Sequence, residues 1–375
     1  MIYLDCAATS LQKPAAVRYA VSEAVRSLSS PGRGGYESAM AAADVLLDCR
    51  MALSEMFSVK DPERVIFTSS ATHGLNIAIK SLVSAGDKVV VSGYEHNAVM
   101  RPLVAVGADV HVAASPLFAP KAAIEAFRKA LPGAKAAVCC HVSNVFGYIL
   151  PVAEIAALCR EMGVPLIVDA SQSAGCLALD FDGLGCDFAA MPGHKGLLGP
   201  QGTGVLLCKS MAVKTLIEGG TGSMSEPPEM PDIFPDRLEA GTHNMPGVAG
   251  LLAGVRWLQG RIPGALLRHE SALCRRMAEA LSGSGDIELF AAEEEQNQAG
   301  VLSVRFRNMD CEEAAQRLGE RGIAVRAGLH CAPSAHRTAG TLETGTVRFS
   351  FSPFTTEREV LAAAQAALEL QGKQR

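Results

Sequence analysis

Between residues 62 and 210 the sequence repeatedly changes its hydrophobic period, and this alternation constrains the fold more than any other feature. Short apolar runs stand at Arg64-Val65-Ile66-Phe67, Lys88-Val89-Val90-Val91, Ala136-Ala137-Val138-Cys139-Cys140, Pro165-Leu166-Ile167-Val168, Phe188-Ala189-Ala190-Met191 and Gly204-Val205-Leu206-Leu207-Cys208. Apolar residues on consecutive positions require both faces of a strand to be covered. Between these runs, over 72–82, 121–131 and 152–162, apolar residues recur every three or four positions, as in helices. The pattern predicts a mostly parallel sheet with helices on both faces.

Past this region, 219–235 is rich in Gly, Ser and Pro and reads as a loop. A helical block follows over 247–282, then a strand at 301–306, a helix at 311–321, a strand at 323–326, a Gly/Pro/Thr-rich loop, a strand at 346–352 and a helix at 357–370. The expected organisation is a large α/β domain over 15–257 and a smaller α+β domain over 258–375, with residues 1–14 packing on the smaller one. A chain of 375 residues with 49% hydrophobic content can supply both cores.

Charge and patterning remove several function classes. The 34 Lys and Arg against 39 Asp and Glu give a net charge of −5, without the basic excess that nucleic acid demands. No apolar run approaches the roughly 18 residues of a membrane span, and the N-terminus lacks a basic stretch leading into an apolar one. The expectation is a soluble, cytoplasmic protein. Its 11 cysteines are odd in number and mostly lie in apolar segments, a pattern of reduced thiols. No zinc-type Cys/His spacing occurs, so no metal is expected.

Five polar clusters each follow a predicted strand: Ser69-Ser70-Ala71-Thr72-His73, Glu95-His96-Asn97, His141-Val142-Ser143-Asn144, Asp169-Ala170-Ser171-Gln172 and Gly193-His194-Lys195-Gly196. Each has a plain reading alone: a hydroxyl helix cap, a structural histidine, an acidic cap, a solvated lysine. Five such clusters at strand ends point to one crevice, because parallel sheets bind ligands beyond the carboxyl ends of their strands. A sixth segment, Arg326-Ala327-Gly328-Leu329-His330-Cys331-Ala332, places a thiol among small residues near Arg326 and Arg348, the electropositive setting in which thiols become reactive.

Taken in order, these motifs resemble the cysteine desulfurase and selenocysteine lyase branch of the class V aminotransferase superfamily, which depends on pyridoxal phosphate (PLP). The resemblance runs from Tyr3-Leu4-Asp5-Cys6-Ala7-Ala8-Thr9 and Pro31-Gly32-Arg33-Gly34-Gly35, through the strand-end clusters and Glu239-Ala240-Gly241-Thr242, to Arg348. It implies the PLP-dependent transferase fold, aspartate aminotransferase-like, of fold type I. It also implies that Lys195 links to PLP and moves protons at the substrate Cα, and that Asp169 faces the pyridine nitrogen. Gln172 and Asn144 then reach the ring hydroxyl, and His96 stacks on the ring. Ala71, Thr72 and His194 hold the phosphate, Thr242 reaches the phosphate of the other subunit in a homodimer, and Arg348 pairs with the substrate carboxylate. Asn144 and Arg326 complete the substrate site. Cys331 is the implied nucleophile, with His330, Arg326 and Arg348 contributing to its activation. The implied reaction takes L-cysteine, or L-selenocysteine, to alanine and leaves a persulfide on the enzyme for a sulfur-acceptor protein.

Three positions depart from the family pattern: Pro192 replaces a hydroxyl residue, His73 an acid and His243 a proline. The alternatives are another class V PLP reaction, such as transamination or Cβ elimination, and a non-catalytic sulfur carrier. Only the desulfurase reading requires the thiol of Cys331.

Overall fold

The structure, a computed structural model, describes every residue except 33, 212, 222, 225 and 373–375. Arg33 of the glycine-rich N-terminal motif and two positions of the 219–235 loop therefore lie outside the described residues. In chain order the strands are β1 Ile2–Tyr3, β2 Val65–Thr68, β3 Lys88–Ser92, β4 Asp109–Ala113, β5 Ala136–Cys140, β6 Leu166–Asp169, β7 Phe188–Pro192, β8 Gly204–Cys208, β9 Ile287–Phe290, β10 Val301–Phe306, β11 Ile323–Ala324, β12 Arg326–Gly328 and β13 Thr346–Ser350.

Seven strands form the large sheet in the order β2-β8-β7-β6-β5-β3-β4. Only β8 runs against its neighbours, so the carboxyl ends of β2, β3, β5, β6 and β7 all reach one edge. Strands β5 to β8 are buried throughout, as their unbroken apolar runs require. All six predicted strands of this region are present. The seventh, β4, escapes a sequence reading because it is an exposed edge whose Asp109 and His111 pair with each other at 2.8 Å. The helices Ala15–Ser27, Glu37–Met56 and Asn97–Val106 are also additions; the last carries an internal Pro102 that obscures its pattern.

The second sheet, β12-β13-β10-β9, is antiparallel and packs under the helices Ala265–Leu281, Cys311–Glu320 and Glu357–Gly372. Three expectations change here. The block 247–282 is two helices, Met245–Gln259 and Ala265–Leu281, broken at Pro263 and at Gly264, whose φ is 71°. The strand 323–326 divides: β11 pairs in parallel with β1, and the chain then changes sheets so that β12 pairs with β13. The loop before β13 contains a short helix, Pro333–Ala339, begun by a proline at its first position, where no amide donor is needed.

The N-terminal segment joins the two sheets. Leu4 is buried in the core of the smaller sheet, Asp5 bridges to Ser350, and the Ser10 N–H donates to the Lys195 turn through the His194 carbonyl at 3.1 Å. Among the described residues no helix is long and apolar enough to cross a membrane.

Candidate active site

Sheet topology brings all five strand-end clusters to the same edge. Asp169 closes β6, and its buried carboxylate accepts the Ser171 N–H at 2.9 Å through Oδ1. The acid therefore does cap a turn, while its charge also acts on both His96 and Lys195. His96 starts the helix Asn97–Val106, with Nδ1 accepting from the Ala98 N–H at 3.0 Å. Burial keeps the His96 ring below its ordinary pKa, Asp169 opposes this, and Lys195 and Arg326 add to it. Glu95 beside it is fully buried, accepts the Cys140 N–H at 2.8 Å, and is pushed up by burial to about 8.

The turn bearing Lys195 is closed by its own backbone hydrogen bonds and packed too tightly to accept side chains at its glycines. Gly199 N–H donates to the Gly193 carbonyl at 2.7 Å, and Leu198 N–H to that of Lys195 at 2.9 Å. A Cβ on Gly193 would collide with Thr203, and one on Gly196 with the Ala174 carbonyl. Burial lowers the Lys195 amine to about 8; Asp169 and Asp5 oppose the shift, and Arg348 and Arg326 favour it. Such an amine gains and loses a proton near neutral pH, unlike an exposed lysine. Ser10 Oγ donates to the backbone carbonyls of His194 at 3.0 Å and Lys195 at 3.2 Å, and the His194 ring meets Thr9 Oγ1 at 3.1 Å. Gln172 turns its amide to the Ala7 carbonyl at 3.0 Å.

Arg348 is buried at 1% exposure on β13. Its NH1 donates to the Asn144 carbonyl at 2.9 Å and its NH2 to Asp5 Oδ1 at 2.7 Å, while Nε has no partner. Asn144 also donates through Nδ2 to the His330 carbonyl at 2.9 Å, so one residue of the large sheet's edge holds both Arg348 and the cysteine loop.

Of the eleven cysteines, Cys331 alone is exposed. Burial raises the others, Cys49 and Cys274 for example to about 12. Cys331 sits at φ 57° after His330 at φ 48°, two successive non-glycine residues in the left-handed region. Its carbonyl accepts the Asn97 N–H at 2.7 Å, and Arg326 NH2 lies 3.8 Å from Sγ. His330 does not serve the thiol as the sequence suggested. Its buried ring donates through Nε2 to the Thr346 carbonyl at 3.1 Å, and burial, with Arg348 and His336, pushes it down to about 2. It stays neutral and contributes no charge. Arg348 is likewise engaged elsewhere, which leaves Arg326 as the cation beside the sulfur.

At the far end of the crevice the helix Ala71–Leu82 begins. Ser70 caps it by accepting the His73 N–H at 3.2 Å, so the N–H groups of Ala71 and Thr72 have no acceptor within the helix. Thr242 lies exposed on a cavity of about 340 Å³ that it shares with Ser69, His73 and Thr203. His243 has a partner there: Nε2 meets Glu239 Oε2 at 2.8 Å, and the same carboxylate takes a two-pronged contact from Arg50 at 3.0 and 2.8 Å. Burial works to raise Glu239, but His243 and Arg50 outweigh it and hold the carboxyl below its ordinary value.

Residues 2–362 match the family model for aminotransferase class-V. This chain belongs to that family. A probable cysteine desulfurase of Methanothermobacter thermautotrophicus is 31% identical, the match covering 99% of this chain and 95% of that protein. A cysteine desulfurase of Shigella flexneri is also 31% identical, over 88% and 84% of the two chains. Among solved structures, the apo cysteine desulfurase of Thermococcus onnurineus NA1 superposes with a TM-score of 0.89 at 28% identity, covering 99% of this chain and 95% of that one. The cysteine desulfurase CsdA of Escherichia coli gives 0.84 at 29%, covering 98% and 95%. The large sheet over a smaller α+β unit is therefore the PLP fold type I seen in these neighbours.

Class V aminotransferases generally use PLP, and the residues here suit it. The helix start offers free N–H groups to a phosphate, the Lys195 amine is lowered by burial to about 8, and Asp169 carries a buried carboxylate of the kind a cationic ring nitrogen would need. Sequence reasoning missed Ser10 and Arg50, and it quoted Asp5, Asn97 and Glu239 within motifs without giving them a role. For Asp5, nothing local indicates that it meets a residue 343 positions away.

Proposed function

We propose that this protein is a PLP-dependent cysteine desulfurase acting on L-cysteine, with Cys331 as the sulfur acceptor on the enzyme. The observation that carries the reading is the placement of Cys331: an exposed thiol at the tip of a loop whose stem is tied to Asn97 and Asn144 of the large sheet's edge. Another class V reaction has no use for this thiol. When bound, PLP supplies an electron sink conjugated to the substrate Cα.

The protein's own groups perform the remaining tasks. Lys195 anchors the cofactor and, with its lowered pKa, takes and returns a proton at Cα. Asp169 would hold the ring nitrogen, His96 would cover the ring, and Gln172 and Asn144 would serve its hydroxyl. Ala71, Thr72 and His194 would receive the phosphate, with Thr242 serving the second subunit of a homodimer. Arg348 receives the substrate carboxylate, and Arg326 stabilises the Cys331 thiolate. That thiolate attacks the substrate sulfur: an S–S bond forms, the Cβ–S bond breaks, and its electron pair remains with the carbon skeleton, which gains a proton and departs as alanine. The exposed persulfide is then open to an acceptor protein. Eleven unpaired thiols support a reducing, cytoplasmic setting.

The test is incubation of the PLP-loaded protein with L-cysteine and a thiol reductant. The reading expects alanine and sulfide in equal amounts. Turnover that yields pyruvate and ammonia in place of alanine would move the protein to Cβ elimination.

A further inference from the structure

Arg348 is the least exposed cation of the site, and its surroundings leave one of its three nitrogens without a partner. Its NH1 goes to Asn144 and its NH2 to Asp5, while Nε is buried with no partner. A buried guanidinium needs a counterion, and Asp5 makes the one ion pair recorded for it among the described residues. The contact uses Oδ1 alone, so Asp5 orients the guanidinium without filling its donor set. A substrate carboxylate joining this site would meet a guanidinium that is already desolvated and held in one orientation, which favours its capture.

Asp5 itself is fixed by the backbone. Leu4 N–H donates to the Ala324 carbonyl and Ser350 N–H to that of Leu4, both at 2.8 Å, and Ala7 N–H donates to Ser350 Oγ at 2.9 Å. Ser350 lies two residues from Arg348 on β13, so the pairing of the N-terminal segment with β13 sets the register of Asp5 against Arg348. Over the next five residues the same strap meets Gln172 through Ala7, the His194 ring through Thr9, and the Lys195 carbonyl through Ser10.

We infer that Asp5 is a positioning residue for the reaction, holding Arg348 as the receptor for the α-carboxylate of the amino-acid substrate; this rests on the desulfurase reading above. Asp5 acts through Arg348.

The experiment compares kcat/KM of the PLP-loaded enzyme on L-cysteine and on L-cysteine amide, which lacks the carboxylate. The wild type prefers the acid. Asp5→Ala lowers kcat/KM on L-cysteine about tenfold, mainly through KM, and changes the amide by less than about twofold, as expected for loss of one charged hydrogen bond that orients the receptor. An equal loss on both compounds would assign Asp5 a general structural role and overturn the proposal. A gain on L-cysteine would make Asp5 a competitor for Arg348 and also overturn it. If Asp5→Ala does not fold, Asp5→Asn, which keeps the size and an oxygen acceptor, is judged by the same ratio, with a smaller loss confined to the acid. A wild type that turns over both compounds without preferring the acid contradicts Arg348 as receptor and the proposal with it. A wild type that yields neither alanine from L-cysteine nor alaninamide from the amide contradicts the desulfurase reading itself.

Discussion

The Lys195 turn and the Cys331 loop are both organised around one reactive side chain, yet they are built by opposite means. The Lys195 turn is closed in by glycine contacts, by backbone bonds across Gly193 and Gly199, and by Thr9 and Ser10 of the N-terminal strap. The Cys331 loop leaves its sulfur in solvent and fixes only its stem, through Asn144, Asn97 and the buried His330 ring. Two successive left-handed residues there cost about 1 kcal/mol or more each, and those buried contacts offset it. The difference fits the proposed tasks: an amine that is to hold a cofactor benefits from a single position, whereas a thiol that is to collect sulfur and pass it on must be reachable from both sides.

The largest effect that sharpens this contrast is at the enclosed group. Lys195→Ala abolishes alanine formation and removes the cofactor absorbance from purified protein; a variant that keeps its long-wavelength absorbance after dialysis would contradict the assigned anchor. The smallest is in the shell behind the turn. Glu270, in the small cavity that also touches Lys195, Cys6 and Cys176, is pushed by burial from 4.5 to about 8. Because its folded pKa is raised, its contribution to stability is full below about pH 4.5 and is lost as pH rises toward 8. Glu270→Gln should therefore flatten the decline of the urea midpoint between pH 4.5 and 8. An unchanged slope would mean that the carboxyl does not hold its proton in the folded state.

What the sequence revealed, and what it hid, divides along the same line. Strands β5 to β8 were legible because an apolar residue at every position leaves few alternatives, and their topology, with β3 parallel beside β5, then carries Asp169, Asn144, Lys195 and His96 to one edge. β4 was not legible, since an edge strand needs no apolar face. The cysteine loop was legible as a motif but not as a geometry. His330 adjoins Cys331 in sequence, yet a φ of 48° accompanies a ring turned inward to Thr346, and the charge beside the sulfur comes from Arg326. Asp5 and Arg348 illustrate the remaining gap: each is legible alone, and only the pairing of the N-terminal segment with β13 brings them together.

The central claim is that Cys331 receives the sulfur. The direct measurement is to treat the PLP-loaded enzyme with one equivalent of L-cysteine in the absence of reductant, block thiols and persulfides with an alkylating reagent, and map the added sulfur by peptide mass spectrometry. The account predicts one extra sulfur atom on the peptide carrying Cys331, none on the ten other cysteines, and loss of both the adduct and the stoichiometric alanine in Cys331→Ala. Sulfur found on another cysteine, or alanine released at an undiminished rate by Cys331→Ala, would contradict it.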